Sequence, residues 1–140
     1  MTLLARVRDS RFLRFAVVGG LGFFMNEAVL YAAIHFLGLG PYSAGIFAFL
    51  VTVTFTWGGN RLLTFGDKAA RGIMAMVEEW AKFVAANALG FGVNYAVYVS
   101  LVRFAPGPLN SPYVALAFGT LAGLIFNFTL SKRFVFNAAD

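Results

Sequence analysis

Glu27 is the first residue whose setting asks for chemistry. It lies deep in the apolar run Phe15 to Leu37, which only Glu27 and His35 interrupt. A carboxylate near a bilayer centre costs on the order of 2.5–3.5 kcal/mol. Glu27 therefore calls for a bundle interior, a wet cavity or a subunit contact. There it would either exchange a proton or hold a structural hydrogen bond to Asn94, Tyr95 or a threonine. Gly19, Gly22 and Asn26 stand at i, i+3 and i+7, on one helix face, and Asn87, Gly90 and Asn94 repeat that face. Small residues admit close backbone approach, and an asparagine amide then finds a partner across the contact. These faces either pack helices together or line a polar crevice. Asn127 adds a third such amide, whereas Thr52, Thr54, Thr56, Thr120 and Thr129 can simply bond back to their own helices.

Cations suited to an anion stand at the ends of the apolar runs: Arg14, Asn60 with Arg61, Lys82, and Ser131 with Lys132 and Arg133. A guanidinium fits a phosphate through two parallel hydrogen bonds. His35 and Arg103 stand at the opposite ends, where they receive an anion or sit among lipid headgroups. Bond-breaking chemistry has no visible machinery: there is no nucleophile–base pair and no acidic cluster for a metal. Gly19-Gly20-x-Gly22 lies inside an apolar run and does not read as a dinucleotide fingerprint. Without cysteine and with one histidine, disulfides and zinc are not expected. The chain is expected to be no enzyme and to need no cofactor or metal.

The elements that must hold these residues are membrane spans. Of 140 residues 60% are hydrophobic and 12% charged, and 17 are phenylalanine. A small soluble domain hides only roughly two-thirds of its surface, too little for so apolar a chain, and disorder is excluded by the same composition. Phe15 to Leu37, Pro41 to Asn60, Phe83 to Val102 and Phe104 to Ser131 each reach the roughly 20 residues that cross about 30 Å of hydrocarbon. Four transmembrane helices are expected near 13–36, 42–64, 80–104 and 112–135. The runs do not alternate as barrel strands do, so the fold class is an all-α integral membrane protein. Gly38-Leu39-Gly40-Pro41 and Ala105-Pro106-Gly107-Pro108 mark the short connections. Leu3, Leu4 and Val7, and again Ile73, Met74, Val77 and Trp80, read as short amphipathic helices along the membrane surface.

Ten of the eleven basic residues fall on one side of these spans; only Arg103 lies on the other. The positive-inside rule then places both termini and the middle loop in the cytoplasm. The net charge of +5 thus reports topology and contact with anionic phospholipids. A nucleic-acid partner would need a folded basic surface or exposed aromatics and is not expected.

The chain also repeats itself. A shift of 68 positions pairs Arg14 with Lys82, Phe15 with Phe83, Leu21-Gly22-Phe23 with Leu89-Gly90-Phe91, Asn26 with Asn94, and His35-Phe36 with Arg103-Phe104. A shift of 71 pairs Pro41-Tyr42 with Pro112-Tyr113, Phe55 with Phe126, Arg61 with Lys132, and Phe65 with Phe136. The reading is one membrane domain over 1–140, made of two tandem parallel two-helix repeats at about 1–66 and 67–140, related by an axis along the membrane normal. Glu27 pairs with Tyr95, so the duplication is broken there.

RFLRFAVVGGLGFFMNEAVLY, then a span ending WGGNRLLTF, resembles the GtrA-like family of small four-span membrane proteins. The second unit closes on FTLSKRFVF, similar to the same terminal pattern: an aromatic, Asn or Ser, a basic residue, then aromatic-x-Phe. Leu63 stands where that pattern has an aromatic. The resemblance covers nearly the whole chain. It implies a flippase role in the bacterial cytoplasmic membrane: moving a polyprenyl-phosphate-linked sugar for cell-surface polysaccharide glycosylation, beside a membrane glycosyltransferase. On that reading Arg14, Arg61, Lys82 and Lys132, with Asn60, collect the anionic head. Asn26, Glu27, Asn94 and Asn127 line its passage, and His35 and Arg103 receive it. One bundle offers little wall for such a head, so a homodimer is expected. Two alternatives stay open: a non-transporting scaffold for a glycosyltransferase, and a proton-coupled exporter of cationic compounds that uses Glu27.

Overall fold

The computed structural model describes residues 2–138, so the outermost residues of the two expected repeats, 1 and 139–140, lie outside the described residues. The described residues are helical, without strands: α1 (Leu3–Asp9), α2 (Arg11–His35), α3 (Pro41–Leu63), α4 (Ile73–Phe104) and α5 (Pro112–Leu130). Four of them, α2, α3, α4 and α5 with its continuation to Val135, are long and apolar enough to cross a membrane. An all-helical solution follows from the solvent, because lipid offers no partner to an unpaired amide.

Local sequence sets the ends. Thr2 and Ser10 cap α1 and α2, their hydroxyl oxygens accepting from the amides of Ala5 and Leu13 at 3.3 Å. The same Ser10 separates the two helices, so Leu3–Asp9 is a helix of its own, as its amphipathic pattern suggests. Gly38 ends α2 with a φ of 68°, a backbone conformation that side chains resist. Pro41 and Pro112 each occupy the first turn of a helix, where the missing amide hydrogen costs nothing.

Two boundaries differ from expectation. The segment at 73–80 is not a separate surface helix; it forms the first turns of α4, which starts at Ile73 and not at 80. Gly72, with a φ of 91°, is the break before it, and no glycine or proline follows until Gly90. The last span stops being an α-helix at Leu130 and closes through a wider turn over Ser131–Val135.

The chain divides into two compact units within α4, the first ending at Val84 and the second beginning at Ala85. The part of α4 in the first unit bonds to α3 through Glu79 and Trp80. In the first unit α2 and α3 form an antiparallel pair. Gly22 of α2 lies against the methyl of Thr56, with that of Thr52 beyond it. Gly59 of α3 lies against Val18, and Phe15 meets Phe65 edge-on at 6.4 Å. In the second unit α4 and α5 pair in the same way. Gly90 lies under the Asn127 amide, and Gly119 and Gly123 lie under Asn94. A Cβ on Gly119 would stand 2.6 Å from the Asn94 carbonyl oxygen, and one on Gly123 3.0 Å from the Gly90 carbonyl oxygen. Gly22 and Asn26, and Gly90 and Asn94, thus lie in contact seams within each unit, where small residues bring backbones together, whereas Gly19 faces open space.

Candidate functional site

The most developed polar site lies in the first unit, where α3 ends and α4 begins. At its centre is Glu79, only 4% exposed. One carboxylate oxygen accepts from the indole Nε1 of Trp57 at 3.0 Å and from Nη1 of Arg61 at 2.8 Å. The other accepts from the backbone amide of Ala70 at 2.6 Å. Arg61 returns its second guanidinium nitrogen to the Ala70 carbonyl and lies 5.8 Å from the centre of the Trp57 ring. The carboxylate thus has a charged partner and two neutral donors, the condition for keeping a charge out of water.

A second clamp holds the same loop. Arg11, at the start of α2, donates both terminal nitrogens to the Asp67 carboxylate at 2.9 and 2.8 Å, and one of them to the Thr64 carbonyl at 3.2 Å. Its guanidinium lies 5.5 Å from the centre of the fully buried Phe65 ring. The paired hydrogen bonds to Arg11 hold the Asp67 carboxyl below its ordinary range. The loop from Thr64 to Ala70 is therefore fixed from both sides, and Arg61 is presented in one orientation.

The residues expected to meet an anion have distinct settings. Arg61 is pre-positioned, its side chain 17% exposed. Arg14 is half-buried and donates to the Arg8 carbonyl, while its Nε is buried without a partner. Lys82 is exposed and pairs with Glu78 at 2.7 Å, one turn earlier. Asn60 is 1% exposed, and its Oδ1 accepts from the Thr64 hydroxyl at 2.8 Å; its work is to close the end of α3. Lys132 is half-buried in the wide turn after α5, beside Ser131, whose fully buried Oγ has no partner.

Along the spans, Asn26 accepts a long hydrogen bond, 3.4 Å, from the Thr52 hydroxyl. Glu27 lies outside the α2–α3 seam and is exposed. Of the settings its charge calls for, the first unit does not supply a buried one. In the second unit Asn94 covers two glycines of α5, and the Oδ1 of Asn127 is buried without a partner against Gly90. At the other helix ends His35 stacks on Tyr31, ring centres 4.2 Å apart, and Arg103 lies 5.7 Å from the centre of the Phe104 ring; both are exposed.

The amphipathic pattern of Ile73, Met74, Val77 and Trp80 does not single out Glu79. A signal was present: Phe83, Ala86 and Gly90 are the buried face of α4, and continuing that face backwards by one turn reaches Glu79. Trp57 and the Arg11–Asp67 pair carry no local signal: their partners lie 22 and 56 positions away.

The terminal patterns acquire a physical reading here. Asn60 and Ser131, paired by the 71-residue shift, are both fully buried, as are Phe65 and Phe136, while Arg61 and Lys132 keep part of their surface outside. No curated protein matches the chain. The family model described as GtrA/DPMS, transmembrane domain, matches residues 14–136. That match spans both helix pairs and both terminal patterns, and by it the chain belongs to the GtrA/DPMS transmembrane-domain family.

Proposed function

We propose that this membrane protein, of a family tied to polyprenyl-phosphate sugars, flips such a sugar lipid across the bacterial cytoplasmic membrane without catalysing a reaction. The observation that carries the reading is Arg61. It is a guanidinium at the end of an apolar helix, stacked on an indole and held by a buried carboxylate. Arg61 gives one nitrogen to Glu79 and the other to the Ala70 carbonyl, so a lipid phosphate can replace that carbonyl as acceptor and leave the Glu79 pair intact. Arg14, Lys82 and Lys132 raise the local concentration of anionic heads. Asn26, Glu27, Asn94 and Asn127 offer polar contacts along the spans, and His35 and Arg103 hold the head on release. In this reading both termini and the Thr64–Ala70 loop are cytoplasmic, a membrane glycosyltransferase supplies the charged carrier, and a homodimer adds wall around the head.

The purified chain, alone in vesicles, should speed the appearance of a labelled polyprenyl-phosphate sugar in the opposite leaflet. Arg61→Ala with Lys132→Ala should slow it at least tenfold. Glu27, exposed beside the open Gly19 and Gly20, favours a second reading, a scaffold that docks the glycosyltransferase. That reading expects co-purification of the two proteins and full function in the double variant.

A further inference from the structure

Beside the Arg61 site, α3 and the first turns of α4 enclose an open groove of about 270 Å³, lined by Trp57, Ile73, Met76, Val77 and Trp80. Its walls are apolar for a reason that can be read atom by atom. Each indole has one polar group, and both are used inside the fold: Trp57 donates to Glu79, and Trp80 donates to the Thr54 hydroxyl at 3.0 Å. Only ring faces and aliphatic side chains remain for an occupant. Ile73 and Val77 are widely exposed, so nothing in the first unit fills the groove.

Trp57 is shared between two sites. One surface of the residue bounds the groove, and its ring also lies 5.8 Å from the Arg61 guanidinium. Arg61 does not line the groove, but a single side chain, Trp57, stands between them, an arrangement with the polarity of an amphiphile: hydrocarbon along the tryptophans, an anion at Arg61. We infer that this groove holds the isoprene units next to the phosphate of a polyprenyl phosphate, with that phosphate on Arg61. The inference rests on the proposed function for the identity of the lipid. A single apolar lane with a single guanidinium across one indole from it matches a lipid with one hydrocarbon chain per phosphate. A diacyl phospholipid leaves its second chain unaccommodated. The groove then gives Arg61 a selectivity that charge alone lacks, because it distinguishes the carrier from the anionic phospholipids around it.

The chain's only two tryptophans both line this groove, so selectively excited tryptophan emission reports on the groove and on the Arg61 guanidinium beside it. The full-length protein in phosphatidylcholine vesicles is titrated with a short-chain polyprenyl phosphate. A saturable change in tryptophan emission is expected. Phosphatidylglycerol at the same mole fraction should give none, and the matching polyprenol should bind about tenfold more weakly for want of the phosphate. Val77→Gln puts an amide on the groove wall at an exposed position that the fold tolerates, and should weaken the polyprenyl phosphate about tenfold with helix content unchanged. An equal response to phosphatidylglycerol, no saturable response to polyprenyl phosphate, or unaltered binding by folded Val77→Gln overturns the assignment. Saturable binding by a protein that moves no sugar lipid upholds the groove and overturns the transport reading. Transport without a saturable tryptophan change does the reverse.

Discussion

At the scale of single residues the account turns on Glu79. A buried ion pair adds little net stability over an apolar replacement, yet removing one partner strands the other and costs about 3–5 kcal/mol. Glu79→Ala should therefore destabilise the protein in detergent by about 3 kcal/mol, read as a fall in the thermal midpoint. Glu79→Gln should cost less, because its amide oxygen still accepts from Trp57. The Arg11–Asp67 clamp, whose carboxylate is exposed, predicts a pH effect instead. The Asp67 carboxyl in the folded chain lies below its ordinary value of 3.8. Its contribution to stability is thus whole above that value and is lost as pH falls from there through the lowered one. Thermal midpoints measured on both sides of pH 4 should show Asp67→Asn losing less than the unaltered chain on acidification. Neither residue stood out in the sequence. Glu27 did, since a charge deep in an apolar run is conspicuous without any structure. Glu79 sits at the edge of a run and is defined by Trp57, Arg61 and Ala70, which only the folded loop brings to it.

At the scale of helices, glycine position decides stability. Gly90 has the Asn127 amide where a methyl would go, whereas Gly92 and Gly20 face open space. Gly90→Ala should cost about 1–3 kcal/mol by overpacking. Gly92→Ala and Gly20→Ala should be neutral, or up to about 1 kcal/mol stabilising through helix propensity. Reversible unfolding in mixed micelles would rank the three, and equal effects would contradict the seam. The helices were largely legible beforehand: apolar length gives the spans, and Gly38 with Pro41 and Pro112 gives their ends. The faces were legible through the spacing of Gly22 and Asn26 and of Gly90 and Asn94. Whether they pack or line a crevice was not, because that depends on Thr56 and Asn127, which the spacing does not reach. The start of α4 was misplaced because charge was read as the end of the span. Glu78 and Glu79 continue the helix without interruption, one paired with Lys82 and the other folded inward.

At the scale of the molecule, two claims can be tested on the chain as it stands. The first is sidedness. The sequence contains no cysteine, so single replacements report cleanly. With a membrane-impermeant thiol reagent on intact cells, Lys68→Cys should be protected and Asn110→Cys should label; the reverse pattern would invert the proposed topology. The second claim is transport, and it is central. The purified protein is reconstituted at low density in phosphatidylcholine vesicles, with a fluorescent polyprenyl-phosphate sugar in both leaflets and a membrane-impermeant quencher added outside. Without protein, about half the signal is protected. Protein-bearing vesicles should lose the protected half rapidly, the rate should saturate with substrate, and Arg61→Ala with Lys132→Ala should slow it at least tenfold. Folded, monodisperse protein that leaves the protected half as long-lived as in empty vesicles would contradict that claim.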